Sequence, residues 1–330
     1  MRDEAAGGRA RGARRGSQMS AVGSPARDCN ASLAIAKASG CPSGLWQDQI
    51  APLLAAGRVG DNLTLVNVGA NKGFNVAEFL QRYNNQRGLT SVGWHQELLR
   101  AGKAVNVRVR YGCGLCNACR APRPRTRLHV PVDVHAIEMV RLNAMAIRKL
   151  FAVFGVPGRV HHLAMSNYSG VAKYRAASAV GLEHFELGKD VDRYRAEAVP
   201  CMTLDAFAAT HLGAGRRIDL LSVDVEGQDA LVLEGAEQLL AARAVGVVEF
   251  EYIGRGYWRA DKGAERRLLQ TVLARLEGFG YRCYWQGDHG RLARASGAYW
   301  CDAFAFRLRS NLVCTHRADV RRVFERLAVA

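Results

Sequence analysis

The chain has 330 residues, of which 49% are hydrophobic, and it carries a formal net charge of +16. This length and apolar content are enough for a sizeable core and exclude a mainly disordered chain. Residues 1–27 hold six Arg against two acids and residues 98–127 hold eight Lys or Arg and no acid, which together give +12. The remainder is nearly balanced, so we do not expect nucleic acid as a partner.

No run approaches the roughly 20 apolar residues that a membrane span requires, and the N-terminus lacks the apolar region of a secretory signal. We therefore expect a soluble protein, cytoplasmic by default, with a disordered basic tail over residues 1–42 and one domain over residues 43–330. The nine cysteines are an odd number and most stand singly, so we expect no disulfide framework, although a bridge between Cys29 and Cys41 remains an alternative.

Predicted strands and helices alternate along the domain. The predicted helices are 43–58, 74–83, 139–155, 229–243 and 262–279. The predicted strands are 63–68, 132–138, 159–167, 218–227, 245–252, 281–286 and 302–307. Such alternation is typical of a mostly parallel sheet covered on both faces. The predicted fold is therefore α/β and doubly wound, with about seven strands.

A glycine-rich turn follows the first predicted strand in LTLVNVGANKGFNVAEFL, residues 63–80. Gly69 and Gly73 allow a ligand to approach the backbone next to the start of a helix. The spacing matches neither a dinucleotide fingerprint nor a phosphate P-loop. Asn67 and Asn71 suit a ligand with amino and carboxylate groups, such as the methionine end of S-adenosylmethionine. The alternative is a tight strand-to-helix turn with no ligand.

An acid, Glu138, ends the second predicted strand. This is the place for a carboxylate that hydrogen-bonds ribose hydroxyls, although it comes later in the chain than usual. The extra length indicates a basic, Cys-rich insert over about residues 84–129. The alternative for Glu138 is a surface carboxylate that stabilises a helix start.

Three cysteines in this insert, Cys113, Cys116 and Cys119, stand at successive C-x-x-C spacings. Thiolates so spaced can converge on a structural zinc ion, with His129 or His95 as a fourth ligand. No second C-x-x-C pair is present, and a disulfide or free thiols are the alternatives.

The motifs together resemble the FkbM family of S-adenosylmethionine-dependent methyltransferases. The matching segments are VNVGANKG (66–73), HAIEMVRLNA (135–144), VHHLAMSNYSG (160–170), TLDAF (203–207), IDLLSVDVEGQDALVLEGA (218–236) and VVEFEY (247–252). The resemblance implies a Rossmann-like class I methyltransferase sheet with strand order 3-2-1-4-5-7-6 and an antiparallel last strand. Asn67 stands where the family usually has Asp.

The resemblance also implies roles for individual residues. Asn67, Gly69, Asn71 and Gly73 would hold the methionine part of the cofactor. Glu138 would bind the ribose, and Ala164 and Ser166 would flank the adenine.

Methyl transfer to a hydroxyl requires alignment of the acceptor and removal of its proton. Asp224 and Glu226 are the predicted catalytic residues, because they stand two apart at a strand end, on the edge where ligands bind in open α/β sheets. Helix N-capping is the alternative for both. His184 and the carboxylates of the strand at 245–252 are weaker candidates.

The leading functional hypothesis is O-methylation of a glycan or small-molecule acceptor. An RNA or protein methyltransferase that uses the basic insert is one alternative. A non-catalytic binding module with a vestigial methyltransferase fold is the other.

Overall fold

A computed structural model describes most of the chain. The described ranges are 29–38, 44–56, 62–85, 88–104, 106–110, 126–181, 196–213, 215–253, 256–258, 265, 268–305 and 309–329. These ranges contain ten α-helices and fourteen strands, which are numbered separately in chain order.

Nine strands form one central sheet. In spatial order they are β14 (Ala328–Val329), β12 (Leu292–Arg294), β11 (Arg282–Gln286), β13 (Ser310–Thr315), β10 (Val245–Tyr252), β9 (Ile218–Val223), β1 (Leu63–Val68), β3 (Val132–Glu138) and β4 (Gly158–His162). The five strands from β10 to β4 are parallel to one another, whereas β13 is antiparallel to both of its neighbours, β10 and β11. The sheet is therefore mixed, with a parallel half.

The β1 strand lies near the middle of this sheet, and all six of its residues are buried. Leu63 and Leu65 pack in the core on one face, and Val66 and Val68 pack in the core on the other. Successive side chains of a strand point to opposite faces, so a strand covered on both faces needs a continuous apolar run. The β-branched sequence LTLVNV meets this need.

Helices cover both faces of the sheet. The face that carries Leu65 is covered by α2 (Trp46–Ala56), α3 (Phe74–Tyr83), α4 (Ser91–Ala104), α5 (Arg141–Phe154) and α10 (Ala318–Leu327). The opposite face is covered by α1 (Cys29–Ala38), α6 (Leu204–Phe207), α7 (Asp229–Glu234), α8 (Glu237–Ala241) and α9 (Leu269–Gly278). The α/β prediction is therefore confirmed.

Two smaller sheets lie beside the central one. One contains β5 (Ala164–Met165), β8 (Ala196–Met202) and β6 (Gly170–Arg175), and the other pairs β2 (Arg108–Val109) with β7 (Ala179–Val180). The three-stranded sheet packs around the buried Tyr174 and against Val140, which precedes α5. It therefore adjoins the carboxyl end of β3.

The prediction of the last strand is wrong. Alternation in residues 302–307 predicts a strand there, but Asp302–Phe304 forms a 3-10 turn and the strand is β13. Pairing decides the difference, because β13 has β10 on one side and β11 on the other, and five of its six residues are buried. The predicted count of about seven strands is also low, since β12 and β14 extend the sheet.

The predicted strand 159–167 divides into two. Its first part is β4, which pairs with β3 in the central sheet, and its second part is β5, which pairs with β8 in the small sheet. Between them, the Leu163 N–H donates to the Glu138 carbonyl at 3.2 Å. The chain thus leaves the central sheet at the carboxyl end of β3.

Part of the predicted tail is structured. Helix α1 lies within residues 1–42, and its Ile35 and Ala36 are buried in the core. The Ser310 hydroxyl donates to the Ala36 carbonyl at 2.7 Å. The prediction of a disordered tail is therefore wrong for residues 29–38, because this segment buries apolar side chains against the sheet.

Two disulfides correct the expectation drawn from cysteine spacing. Cys29 is bonded to Cys301, and Cys283 is bonded to Cys314 across β11 and β13. The alternative bridge from Cys29 to Cys41 is excluded by the first of these. The sequence does not reveal either pairing, since the partners are 272 and 31 residues apart.

Within the described ranges, no helix is long and apolar enough to cross a membrane. The predicted insert at 84–129 contains α4 and β2, and an isolated bridge pairs Asn84 with His129 near its two ends.

Candidate active site

The glycine turn leads from β1 into α3, with Gly69 and Gly73 at φ of 78° and 77°. A Cβ on Gly69 would lie 1.8 Å from the Asp224 carbonyl oxygen, and one on Gly73 would lie 2.8 Å from Trp94 Cζ2. Both positions therefore require glycine because of the backbone angle and of neighbouring protein atoms. This supports the tight-turn alternative for the glycines themselves, whether or not a ligand binds beside them.

The Asn67 side chain is the polar group at the end of β1, and it is fully buried. Neither its amide nitrogen nor its amide oxygen has a hydrogen-bond partner among the described residues. Leaving such groups unpaired costs about 1–3 kcal/mol each. An amide that offers one donor side and one acceptor side fits a ligand that carries both amino and carboxylate groups.

The Glu138 carboxyl connects the end of β3 to the glycine turn. Its Oε2 accepts from the Asn71 N–H at 2.6 Å, and its Oε1 accepts from the Val140 N–H at 2.7 Å. Burial raises the pKa of Glu138 to about 7, against the opposing effect of these N–H donors. The Asn143 side chain also donates to this carboxyl. Three donors leave one of the four lone-pair sites, so the carboxyl can brace the turn and still receive one ribose hydroxyl.

Ala164 and Ser166 are both buried, directly after the point where the chain leaves β4. The Ser166 N–H donates to the Met202 carbonyl at 3.2 Å. The next residue, Asn167, donates from Nδ2 to Glu234 Oε2 at 3.1 Å. This contact brings the segment near the end of α7, a proximity that the sequence does not reveal.

The D-V-E-G turn follows β9 at the same edge. Asp224 is exposed, and its N–H donates to the Val68 carbonyl at 3.0 Å, which holds the ends of β9 and β1 together. Glu226 has a φ of 56°, a conformation uncommon outside glycine. The N-cap residue of α7 is Gln228, whereas Glu226 pairs with Arg309, so capping does not account for Glu226.

Asp229 holds this turn in shape. Its carboxylate is fully buried and accepts from the Val225 N–H at 3.4 Å and from the Gly227 N–H at 3.2 Å. Burial, and then the neighbouring Asp224, raise the pKa of Asp229.

Arg309 bridges two carboxylates on different elements. It contacts Glu226 Oε2 at 3.0 Å and Glu251 Oε1 at 3.0 Å. Glu251 lies in β10 and is 5% exposed. Burial raises the pKa of Glu251, as do Asp224 and Asp229, while Arg309 opposes the rise.

Register explains why these side chains share one edge. Asn67 in β1 lies opposite Ser222 in β9, and Ser222 lies opposite Glu249 in β10. The three side chains form one row on the α3 face of the sheet. Residues two positions further along a strand point to the same face. Asp224 and Glu251 therefore continue the α3 face beyond Ser222 and Glu249, at the carboxyl edge.

The remaining predicted site residues are the three cysteines of the insert and His184. Cys113, Cys116, Cys119 and His184 lie outside the described residues, so the zinc prediction stays a prediction. In the part of the chain that is described, no group of three or more His, Cys, Asp or Glu side chains could hold a metal ion.

Sequence reasoning missed Asp229 and Arg309. Asp229 has a local signal, because an Asp shortly after a glycine turn is a typical acceptor for turn N–H groups. Arg309 has none, since it lies 83 residues from Glu226 and precedes a strand that the sequence places elsewhere.

Comparison with known proteins identifies the family. The model of the methyltransferase FkbM domain matches residues 67–283, well over half of the chain. No curated protein matches the chain. Among solved structures, a methyltransferase FkbM from Methylobacillus flagellatus KT is similar at 12% identity and a TM-score of 0.39, and the match covers 78% of this chain and 44% of that one. This chain thus spans less than half the length of that relative. On the strength of the domain match, the chain belongs to the FkbM methyltransferase family.

Proposed function

We propose that this chain is an S-adenosylmethionine-dependent methyltransferase that methylates a hydroxyl of a glycan or small-molecule acceptor. Methyltransferase function in general follows from the family. The observation that carries the cofactor assignment is the buried Asn67 amide, whose two polar atoms lack partners among the described residues. It lies beside the glycine turn, where a ligand with amino and carboxylate groups would satisfy it.

The sheet supports this assignment at the level of the fold. Counted along the chain, its seven principal strands β1, β3, β4, β9, β10, β11 and β13 stand in the order 3-2-1-4-5-7-6, with β13 antiparallel. We take this as the Rossmann-like class I methyltransferase arrangement. In such open sheets, ligands bind at the carboxyl edge of the parallel strands.

Several residues at that edge would hold the cofactor. Asn67 and the turn at Gly69, Asn71 and Gly73 would receive the methionine part. The remaining lone pair of the Glu138 carboxyl would accept a ribose hydroxyl, and Ala164 and Ser166 would flank the adenine.

When bound, the cofactor supplies a methyl group on a positively charged sulfur, which keeps the electron pair of the broken bond. Asp224 would take the proton of the acceptor hydroxyl, since it is exposed at this edge and fixed through its main chain to β1. Glu226 would be the second catalytic carboxylate, and its ion pair with Arg309 fixes the position of the Glu226 side chain. Alignment of the acceptor supplies most of the remaining rate enhancement.

The other two hypotheses have weaker support. An RNA or protein acceptor depends on the basic insert, whose residues 111–125 lie outside the described ranges. A vestigial, non-catalytic module would have no use for an unpaired buried amide at Asn67.

The assignment is tested by Asn67→Leu, which keeps the branched, four-atom shape of the side chain and removes both polar atoms. Loss of the amide should weaken binding of S-adenosylhomocysteine by roughly ten- to a hundredfold, since a hydrogen bond to a charged group contributes about 1.5–3 kcal/mol. The melting temperature should stay equal or rise, because two unpaired buried groups disappear. Calorimetric titration and thermal unfolding measure the two quantities.

Ser222→Ala is the matched control, because Ser222 shares the row of Asn67 but has partners. Its hydroxyl donates to Glu249 Oε1 at 3.0 Å and accepts from Asn75 Nδ2 at 3.4 Å. This variant should lose about 1 kcal/mol of stability and keep the affinity for S-adenosylhomocysteine. If Asn67→Leu binds S-adenosylhomocysteine as tightly as the wild type does, the cofactor does not bind at this site.

A further inference from the structure

Three histidines from three elements meet on the face of the sheet opposite α3. His135 lies in β3, His161 lies in β4, and His211 lies in a one-turn π-helix (Ala208–Leu212) that follows α6. The rings of His135 and His161 are stacked with their centroids 5.3 Å apart, and those of His161 and His211 are 4.8 Å apart. The buried ring of Phe207 packs against all three, at 5.8, 4.9 and 4.8 Å. The histidines therefore join β4 both to β3 and to the π-helix.

One hydrogen bond limits how many protons His135 and His161 can hold together. His135 Nδ1 lies 3.1 Å from His161 Nε2, so one of these nitrogens donates and the other accepts. His135 Nε2 lies 3.3 Å from Asp133 Oδ2, close enough for charge attraction but without the alignment of a hydrogen bond. The carboxylate favours a proton on His135 Nε2, which leaves Nδ1 to accept from His161. If both rings were charged, two N–H groups would face each other.

Charged side chains reach this cluster from several elements. Arg159 of β4 and Arg148 of α5 both act on the middle histidine, His161. Asp133 is the acid of β3, and Arg159 also acts on it. The acid of α6, Asp205, points elsewhere and accepts from two N–H groups at the start of α8, each at 3.0 Å. A proton added to the middle histidine would therefore be repelled by two arginines.

Protonation of His161 is coupled to release of the cluster. Burial, and then the other two histidines and the two arginines, lower the pKa of His161 to about 4 from its ordinary value of 6.5. Between these values the released histidine is charged, whereas the packed one is neutral. The free energy that His161 contributes to the packed state is therefore fully present above pH 6.5 and is lost as the pH falls towards 4.

The cluster lies under the strand that leads into the proposed adenine site. In the described sheet, β4 is the last strand, with β3 as its neighbour. The chain passes from β4 through Leu163 to Ala164 and Ser166, which would flank the adenine. The π-helix is an irregular element of a kind that often occurs at functional sites. Release of the histidines would free both β4 and the π-helix to move.

We propose that His135, His161 and His211 form an acid-sensitive latch. Neutral imidazoles hold β4 and the π-helix together at neutral pH, and protonation in mild acid releases both elements and loosens the segment that follows β4. The latch goes beyond the proposed function, because it is a property of the protein without ligand. Its effect on the cofactor rests on the proposed function.

The latch is tested by hydrogen–deuterium exchange of the unliganded protein at about pH 7.5 and about pH 5, expressed as protection factors that correct for the effect of pH on exchange itself. Protection in residues 158–166 and 204–213 should fall by about tenfold or more at the lower pH. In His161→Gln the fall should shrink to about threefold or less, because glutamine does not titrate and can still donate to His135. His211→Gln tests the π-helix side, and its fall should also be smaller than that of the wild type.

His162→Gln is the matched control. His162 is the next residue of β4, so its ring lies on the other face, where Nε2 is 3.0 Å from the Met139 carbonyl oxygen. This variant should keep the tenfold fall in residues 204–213. No fall in the wild type, or an equal fall in the wild type and His161→Gln, would overturn the latch. Loss of the fall in His162→Gln as well would assign it to β4 in general and would also overturn the latch.

Calorimetric titration with S-adenosylhomocysteine at the same two pH values tests the effect on the cofactor. The Kd should rise at the lower pH by a factor about three or more larger in the wild type than in His161→Gln. Protonation of Glu138 is common to both proteins and cancels. An equal rise in both would refute the effect on the cofactor. If the ligand does not bind at pH 7.5 either, the proposed function fails, while exchange still decides the latch.

Discussion

At the scale of single residues, Glu138 has a structural role in bracing the glycine turn and a proposed role in ligand binding. The sequence predicts that this acid stands at the end of β3. It does not predict that both oxygens already accept main-chain N–H groups, from Asn71 and Val140. Those contacts depend on how the glycine turn lies against the end of β3, which no local pattern encodes.

Glu138 should make stability depend on pH. Burial raises the pKa of Glu138 to about 7 from its ordinary value of 4.5, so the folded state binds more protons than the unfolded state between these values. Stability should therefore fall as the pH rises from 4.5 to 7, by about 3 kcal/mol for this group, and stay level above pH 7. Denaturant unfolding at a series of pH values measures this.

Glu138→Gln isolates the contribution of this carboxyl. The difference in unfolding free energy between wild type and variant should change by about 3 kcal/mol across this pH range, because other buried carboxyls are common to both proteins and cancel. The variant should also bind S-adenosylhomocysteine about tenfold more weakly. A difference that does not vary with pH would mean that Glu138 titrates normally.

At the scale of elements, the alternation of strands and helices predicts the parallel half of the sheet well. The errors lie where pairing partners outweigh local pattern. Residues 302–307 alternate more regularly than Ser310–Thr315, yet the latter form β13 between β10 and β11. Helix α1 was not predicted, because it follows directly on a tail rich in Arg, Gly and Ala. The residues that it contacts, Cys301 and Ser310, lie about 270 positions further along the chain.

The close approach of the turn after β1 to the end of β9 should depend strongly on Gly69. Gly69→Ala places a Cβ 1.8 Å from the Asp224 carbonyl oxygen, in a residue with φ of 78°. We expect a loss of about 3 kcal/mol or more, from both the overlap and the backbone angle. Thermal or denaturant unfolding measures the loss.

Gly88→Ala is the control for the backbone angle alone. Its φ is 64°, and no atom of the described residues lies within 4 Å of the added Cβ. Its cost should be about 1 kcal/mol. An equal loss of unfolding free energy in the two variants would contradict the close contact between Gly69 and the Asp224 carbonyl.

At the scale of the whole molecule, one edge of a nine-stranded sheet gathers the candidate residues from distant parts of the chain. Asn67, Glu138 and Asp224 follow or end three adjacent parallel strands, and Glu251 belongs to the fourth. The sequence predicts this convergence for the first three, because the carboxyl ends of parallel strands meet at one edge. It could not predict Arg309, whose position depends on the antiparallel strand β13.

The central claim is that S-adenosylmethionine binds at the carboxyl edge of β1 and β3. Hydrogen–deuterium exchange with and without S-adenosylhomocysteine tests it most directly, since the method reports where the ligand protects the backbone. We expect slower exchange in residues 63–83 and 132–144, and unchanged exchange in residues 282–294 and 318–327 at the far end of the sheet. Unchanged exchange in the first two segments at saturating ligand, or protection confined to the last two, would contradict the claim.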